Sequence, residues 1–334
     1  MDDFVISGNF PGIVTLKKNS HKMELDQAQF FQILVEHKPK IEEWLHKHGA
    51  LLFRGFPLSK ADDFTQFIES LNLGQFVNYI GGDSPRDKVA SKVYTSTEAP
   101  PSLHIPLHQE LSFIKKFPKH IYFFCEIAPS VGGSTIIGDA RKIYESVRPD
   151  VRIRFQEKTL TYISNYYETS LIMRFINKIQ RSHKSWREVF ETTSQADVEE
   201  HCKTNEFDWQ WNKNNWLQVK QKRPATINHP ITEEIVWFNQ AHLYDFNPRL
   251  LGFGKYLGAK LLYVKKSMRL HEIRFGDESR IPKKDLYHVM DVLEQNTVAF
   301  PWQRGDVMVL DNILAMHGRA PFKGKRRILT ALTT

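Results

Sequence analysis

Two side chains spaced for metal chemistry stand in Leu107-His108-Gln109-Glu110. On an extended strand, residues i and i+2 face the same way, so the His108 imidazole and the Glu110 carboxylate can hold one metal ion between them. A third ligand then has to come from elsewhere, and the candidate is His317, 209 residues downstream (317 − 108). Two His and one carboxylate on one side of an ion leave the opposite coordination positions open, which suits a non-heme Fe(II) centre working with O2. The pair alone carries little weight. A chain with 14 His and 38 acidic residues produces His-x-Glu by chance, mostly as solvated or ordinarily hydrogen-bonded groups.

Composition narrows the setting. The 334 residues suffice for a sizeable core, and 41% hydrophobic with 25% charged residues is ordinary for a globular protein. No apolar run approaches the roughly 18 to 20 residues of a membrane span, so no membrane partner is expected. The start, Met1-Asp2-Asp3-Phe4-Val5, lacks the basic-then-apolar pattern of a secretory signal. Two cysteines, Cys125 in an apolar run and Cys202, make no disulfide framework; the expected location is the reducing cytoplasm, which also suits Fe(II). The net charge of +8 favours acidic partners in a general way. Its densest patch, Arg174 to Arg187, reads as a solvated helix face ahead of a docking surface for an anionic partner. With no helix-turn-helix, finger or RNA-binding motif, no nucleic-acid partner is expected.

The elements that must position the three ligands follow from periodicity. Residues 13–16 suggest one short strand; Phe30, Phe31, Leu34 and Val35, then Ile41, Trp44 and Leu45, recur at helical spacing on either side of Pro39. Ala50 to Phe56 reads as a buried strand, and Ser59 to Leu73 as a helix capped by Ser59. Residues 74–106 are loop-like, a length that beside a metal pair suggests a binding loop. Ile121–Ile127, the turn at Gly132-Gly133 and Ser134–Ile137 read as strand, turn, strand, and Asp139 opens a helix. Residues 150–225 read as a partly helical insertion, with a helical stretch near Tyr166 to Arg187 and a Trp-rich segment at 208–216 that would serve as a lid or a dimer contact. Strands return at Thr226-Ile227, Ile235–Phe238, Asp306–Leu310 and Arg327–Leu332, with a helix from Lys283 to Leu293. Strand pairing near 108 and near 317 must be long-range, as in a double-sheet jelly roll. The expectation is an α+β fold: a double-stranded β-helix (jelly-roll) core with flanking helices, one domain over 1–334 with an insertion at about 150–225.

Four stretches carry a family likeness: Leu107-His108-Gln109-Glu110-Leu111-Ser112, Pro129-Ser130-Val131-Gly132-Gly133-Ser134-Thr135, Gly305-Asp306-Val307, and His317-Gly318-Arg319-Ala320-Pro321-Phe322 continuing to Leu329. Together they resemble the taurine dioxygenase/TfdA-like family of Fe(II)- and 2-oxoglutarate-dependent oxygenases. Within it they look closest to the clavaminate synthase-like branch that includes a syringomycin-biosynthesis aspartyl hydroxylase. The likeness runs from about Gly49 to the C-terminus.

The resemblance implies that His108, Glu110 and His317 bind Fe(II), and that Thr135 helps hold the distal carboxylate of 2-oxoglutarate. It implies an arginine for the same carboxylate as a bidentate pair. Arg327 matches the family's position; Arg326 is adjacent and would face the other way on a strand, so Arg327 is expected over Arg326. It further implies that decarboxylation of 2-oxoglutarate with O2 yields an oxidant able to take hydrogen from an unactivated C–H bond, with succinate and CO2 released. Glu110 argues against the halogenating relatives, which lack the carboxylate. Arg86, Asn239 and Gln240 lie where substrate-binding loops of this branch fall, with Arg86 suited to a substrate carboxylate. Arg319 is expected to brace the ligand loop, and His104, His120, His229 and His242 are not expected to be ligands.

The leading expectation is a hydroxylase of an amino acid or amino-acid-derived small molecule, free or tethered to a carrier protein. Desaturation, cyclisation or protein side-chain hydroxylation at the same iron is the alternative chemistry. A non-catalytic metal-binding jelly-roll scaffold, or a zinc hydrolase, is the alternative from another class.

Overall fold

The apolar runs of the sequence become the strands of one eight-stranded sheet. The computed structural model describes residues 3–17, 26–77, 88–90, 93–96, 99–168, 185–212, 214–245, 247–262 and 271–334. The large sheet runs in the order Phe4–Ser7, Gly12–Leu16, Ala50–Phe53, Val307–Asp311, His120–Ile127, Arg327–Thr333, Val93–Thr95, Lys88–Ala90. All neighbours are antiparallel except Gly12–Leu16 and Ala50–Phe53. A smaller antiparallel sheet orders Val298–Ala299, Thr135–Asp139, Ala315–Arg319 and Ile105–His108.

Alternation along each strand sends side chains to opposite faces. Leu52, Ile121, Phe123, Met308, Leu310 and Ile328 of the large sheet pack with Ile137 and Ala315 of the small sheet, so the two sheets face each other across a shared apolar layer. The other face of the large sheet presents Leu51, Phe53, Tyr122, Phe124, Val309 and Leu329 to Phe30, Leu34, Ile41, Phe64 and Phe67. These last belong to the helices Gln27–Glu36, Lys38–His48 and Ala61–Leu71. Because both faces of the large sheet are covered, its strands read as near-continuous apolar runs. Outside the small sheet, Leu107, Ile136 and Met316 pack against the helices Ala140–Ser146, Pro149–Lys158 and Lys283–Gln295. Among the described residues no helix is long and apolar enough to cross a membrane.

Several local expectations shift by a residue for identifiable reasons. Pro39 sits in the first turn of the second helix, where its missing N–H costs nothing, so the chain forms two helices rather than one kinked one. The third helix starts one residue later than expected, with Lys60 at its N-cap position. The Asp63 carboxylate, not the Ser59 side chain, does the capping by accepting from Ser59 N, Ser59 Oγ and Lys60 N. The strand Phe4–Ser7, absent from the sequence reading, extends the sheet edge.

The 150–225 region contains more strand than expected. Leu160–Tyr166, Leu217–Arg223, Asp208–Trp211 and His271–Phe275 make a four-stranded sheet, and the Trp-rich segment is its hairpin. Trp211 packs edge-on against Trp186 and donates its Nε1–H to Glu199 at 2.9 Å. These tryptophans therefore close a small core of their own with Tyr166, Val198, Cys202 and Phe207. Residues 169–184, which include most of the basic patch, and residues 78–87, which include Arg86, lie outside the described residues.

Candidate active site

The register of the small sheet sets His317 directly opposite His108 as Cα partners, although 209 residues of chain separate them. Their rings lie 4.4 Å apart between centroids. His317 Nε2 is 3.6 Å from Glu110 Oε2, and one donor atom from each of His108, Glu110 and His317 falls within 4.8 Å of the others. Glu110 reaches this position differently from the strand-alternation argument. The strand ends at His108, and Glu110 lies in the turn that follows, where Leu111 adopts φ +54°. Its backbone is held instead by the buried side chain of Asn312, to which Glu110 donates at 2.8 Å and from which its carbonyl accepts at 2.9 Å.

The hydrogen bonds of the imidazoles decide which cluster can take a metal. His108 Nδ1 lies 2.9 Å from the Pro106 carbonyl, so this nitrogen carries the proton and Nε2 keeps its lone pair. Burial, followed by the neighbouring His317, pulls the His108 pKa down to about 3 against the opposing pull of Glu110, so the ring is neutral near pH 7. A neutral imidazole, a second imidazole and a carboxylate converging from one side fit a divalent transition metal with open positions. A second group, His46, His229 and Asp311, has similar spacing. There, however, His229 Nδ1 accepts the backbone N–H of Thr232 at 3.0 Å, so Nε2 carries the proton and donates to Asp311 Oδ2 at 3.0 Å. That lone pair is spent, and the pair is a structural His–Asp contact.

The cleft beside the triad is lined by Ser96, Ile105, His108, Phe123, Thr135, His317, Gly318, Arg319 and Arg326. Arg326 is half-buried, with Nε donating to the Gly133 carbonyl at 2.9 Å and Nη1 to Ser96 Oγ at 3.3 Å. Gly133 itself sits at φ +70°, and a Cβ there would come within 2.7 Å of the Pro129 ring, so only glycine presents this carbonyl to the arginine. Among the described residues no carboxylate pairs with Arg326. Burial, then the neighbouring Arg319, lowers its pKa to about 10. Buried Thr135 lines the same cleft and accepts from Trp302 Nε1 at 3.2 Å.

The structure places Arg327, the expected arginine, on the surface: it is exposed, pairs with Glu126 at 2.8 Å and is not among the residues that line the cleft beside the triad. The register of its strand against His120–Ile127 shifts between Arg327 and Ile328, with Arg327 opposite Ile127 and Ile328 opposite Cys125. A bulge of this kind defeats simple alternation. Asn239 and Gln240, expected to meet substrate, lie in the interior. Asn239 is fully buried, donating to the Ala225 carbonyl and accepting from Ala241 N. The Gln240 side chain donates to the Gln109 carbonyl, and its backbone N–H to Tyr162. Both side chains are committed to protein partners behind the ligand loop, where His242 also binds the Leu107 carbonyl at 2.8 Å. Arg319 grips the carbonyls of Ala99, Pro100 and Leu103, which steadies the segment leading into the His108 strand. Asn312 and Trp302 escaped the sequence reading, since neither lies in a pattern that distinguishes it from a core residue.

A facing pair of sheets, a two-His-one-carboxylate cluster and an adjacent guanidinium that pairs with no carboxylate among the described residues suit a metal-dependent oxygenase that uses an anionic cosubstrate. The profile of the taurine catabolism dioxygenase TauD, TfdA family matches residues 15–333, and the chain belongs to this family. It is similar to the dapdiamide synthesis protein DdaC of Enterobacter agglomerans, 33% identical over 296 residues, covering 89% of this chain and 85% of that one. A clavaminate synthase-like protein of Arabidopsis thaliana is 29% identical over 328 residues, covering 97% and 93%. The solved structure of AAD-2 with Mn(II) and N-oxalylglycine aligns over 99% of this chain and 96% of that one, with a TM-score of 0.54 and 13% identity. The chain is accordingly a 2-oxoglutarate-dependent dioxygenase with Fe(II) and 2-oxoglutarate as cofactors.

Proposed function

We propose that the enzyme hydroxylates an unactivated C–H bond of an amino acid or amino-acid-derived small molecule, free or carrier-tethered. O2 and 2-oxoglutarate are consumed, one oxygen atom enters the substrate, and succinate and CO2 leave. The facing sheets are read as halves of a double-stranded β-helix within one domain over 1–334, and the buried thiols Cys125 and Cys202 accord with a cytoplasmic location. The observation that carries this reading is the His108, Glu110 and His317 cluster, with Glu110 and His317 buried, beside a guanidinium that pairs with no carboxylate among the described residues.

In this reading His108, Glu110 and His317 hold Fe(II), with the Pro106 carbonyl fixing the His108 tautomer. Arg326, in place of Arg327, binds the distal carboxylate of 2-oxoglutarate, with Thr135 beside it. Bound Fe(II) and 2-oxoglutarate supply the oxidising power; the protein supplies placement. Phe123, 5.3 Å from the His317 ring, walls one side of the cleft against water. A relative named for dapdiamide synthesis supports an amino-acid-derived small molecule as substrate. The test is succinate formation by the Fe(II)-loaded protein across a panel of amino acids, free and carrier-bound, with His108→Ala as control. One panel member that stimulates turnover in wild type alone, with product gaining an oxygen, is the expected result. Loss of two hydrogens instead would mark desaturation or ring closure, and no stimulation by any member would sink the amino-acid assignment.

A further inference from the structure

We propose that Asn312 is a positioning residue for the carboxylate ligand, acting through the backbone of Glu110; this rests on the metal-site reading above. Asn312 follows the strand Val307–Asp311 and stands in the turn leading to the strand Ala315–Arg319, which carries His317. The turn is itself pinned, because Asp311 Oδ1 accepts from Ile313 N at 2.8 Å and Leu314 N at 3.1 Å, while Asn312 N donates to the Lys119 carbonyl at 2.8 Å.

The Asn312 side chain is fully buried, and three of its hydrogen-bonding positions go to the backbone of the ligand loop. Oδ1 accepts from Glu110 N at 2.8 Å, and Nδ2 donates to the Glu110 carbonyl at 2.9 Å and the Pro118 carbonyl at 2.8 Å. The two contacts to Glu110 reproduce the exchange between facing residues of an antiparallel sheet. They do so past the end of the strand Ile105–His108. The amide can sit only one way round: flipped, it would set NH2 against an N–H and its oxygen against two carbonyls. One side chain thus ties the loop bearing Glu110 to the hairpin bearing His317.

Removing it takes from the Glu110 N–H and C=O and the Pro118 C=O the buried hydrogen bonds that Asn312 supplies, which frees the loop to move. The carboxylate moves with its Cα. Disturbing the support of a metal ligand typically weakens metal binding about 10- to 100-fold. A residue that merely filled the core would lower the melting temperature and leave the affinity of the folded protein alone.

The experiment uses the full chain, metal-free, as wild type, Asn312→Ala, Asn312→Asp and Asn247→Ala. Asn247 is an equally buried asparagine that caps the helix Pro248–Leu251, its side chain bonding to Asp245 and Leu250 rather than to Glu110. Co(II) is titrated anaerobically and followed by its visible ligand-field bands, with melting measured before metal is added. Asn312→Asp keeps size and an acceptor for Glu110 N but loses both donors. Expected is about a 10- to 100-fold loss of Co(II) affinity with altered bands in both Asn312 variants. Asn247→Ala should melt lower yet bind Co(II) as wild type does. Wild-type affinity and bands in either folded Asn312 variant would overturn the proposal, as would an equal affinity loss in Asn247→Ala. If Asn312→Ala does not fold, Asn312→Asp decides; if neither folds, the residue determines folding and the positioning role is refuted. Wild-type protein that binds no Co(II) would instead refute the metal site itself.

Discussion

Replacing Arg326 by alanine separates the two adjacent arginines by the ligand each holds. The contacts of Arg326 to Gly133 and Ser96 exist before the cosubstrate arrives, so they largely cancel in a binding measurement. What remains is the pair between guanidinium and cosubstrate carboxylate. Hydrogen bonds to charged groups contribute about 1.5–3 kcal/mol each. Two would give up to about 6 kcal/mol, but a half-buried group shares its partner with water, which places the loss nearer about 3 kcal/mol. That is roughly a hundredfold in Kd for 2-oxoglutarate. Arg326→Lys keeps the charge without the planar fork and should fall between wild type and alanine. Arg327→Ala removes an exposed pair with Glu126, of a kind worth about 0–1 kcal/mol, and should leave the cosubstrate Kd alone. The assay is anaerobic titration of the Fe(II) protein with 2-oxoglutarate, read from the weak visible charge-transfer band. A large loss in Arg327→Ala with wild-type affinity in Arg326→Ala would refute the register argument and restore the sequence-based choice.

Three other outcomes follow from the same geometry. Calorimetric titration should find one metal equivalent per chain, abolished by His317→Ala and unchanged by His229→Ala; a second equivalent lost with His229 would refute the tautomer argument. Asn239→Ala and Gln240→Ala should each destabilise the fold by about 1–3 kcal/mol in denaturant unfolding, since each strands a buried backbone group; normal stability with an altered substrate KM would show that these side chains meet substrate. Burial is the largest single influence on Asp63 and raises its pKa, but the hydrogen bonds from Ser59, Gln27 and Lys60 together outweigh it and hold the carboxylate below its ordinary 3.8. A depressed folded-state pKa gives stability that is present above pH 3.8 and is lost as pH falls through the folded value. Asp63→Asn should therefore be less stable than wild type near pH 7, with the gap narrowing below about pH 4; a gap independent of pH would refute the carboxylate cap.

The grouping of His108, Glu110 and His317 was legible through their company: His-x-Glu alone carries little weight, and the distant His-Gly-Arg with the other family-like stretches singled these residues out. The strands of the large sheet were legible as apolar runs with covered faces, as in Ala50–Phe53 and His120–Ile127. Position within the register was not. The slip between Arg327 and Ile328 depends on how two strands settle against each other, which neither strand's own sequence encodes. Leu217–Arg223 was missed because its buried face reads Leu217, Val219, Gln221, with a polar side chain where the alternation needed an apolar one. Asn239 and Gln240 are expected from the resemblance alone, because substrate-binding loops of that branch fall there; in the structure their side chains satisfy buried backbone.

The facing of His108 and His317 across neighbouring strands bears on how the protein is made. Loop-closure entropy must be met before contacts so distant in sequence can form, so this pairing belongs among the late events of folding. A chain still lacking Val307–Asp311 and the hairpin after it holds two of the three donors and neither Asn312 nor Arg326. With the proposed ligand set, iron would be captured by the finished molecule alone. Once bound, the ion raises the stability of complete chains only, by an amount set by free metal over Kd. In a cell, metal supply would in this way sort full-length, correctly registered copies from nascent or truncated ones.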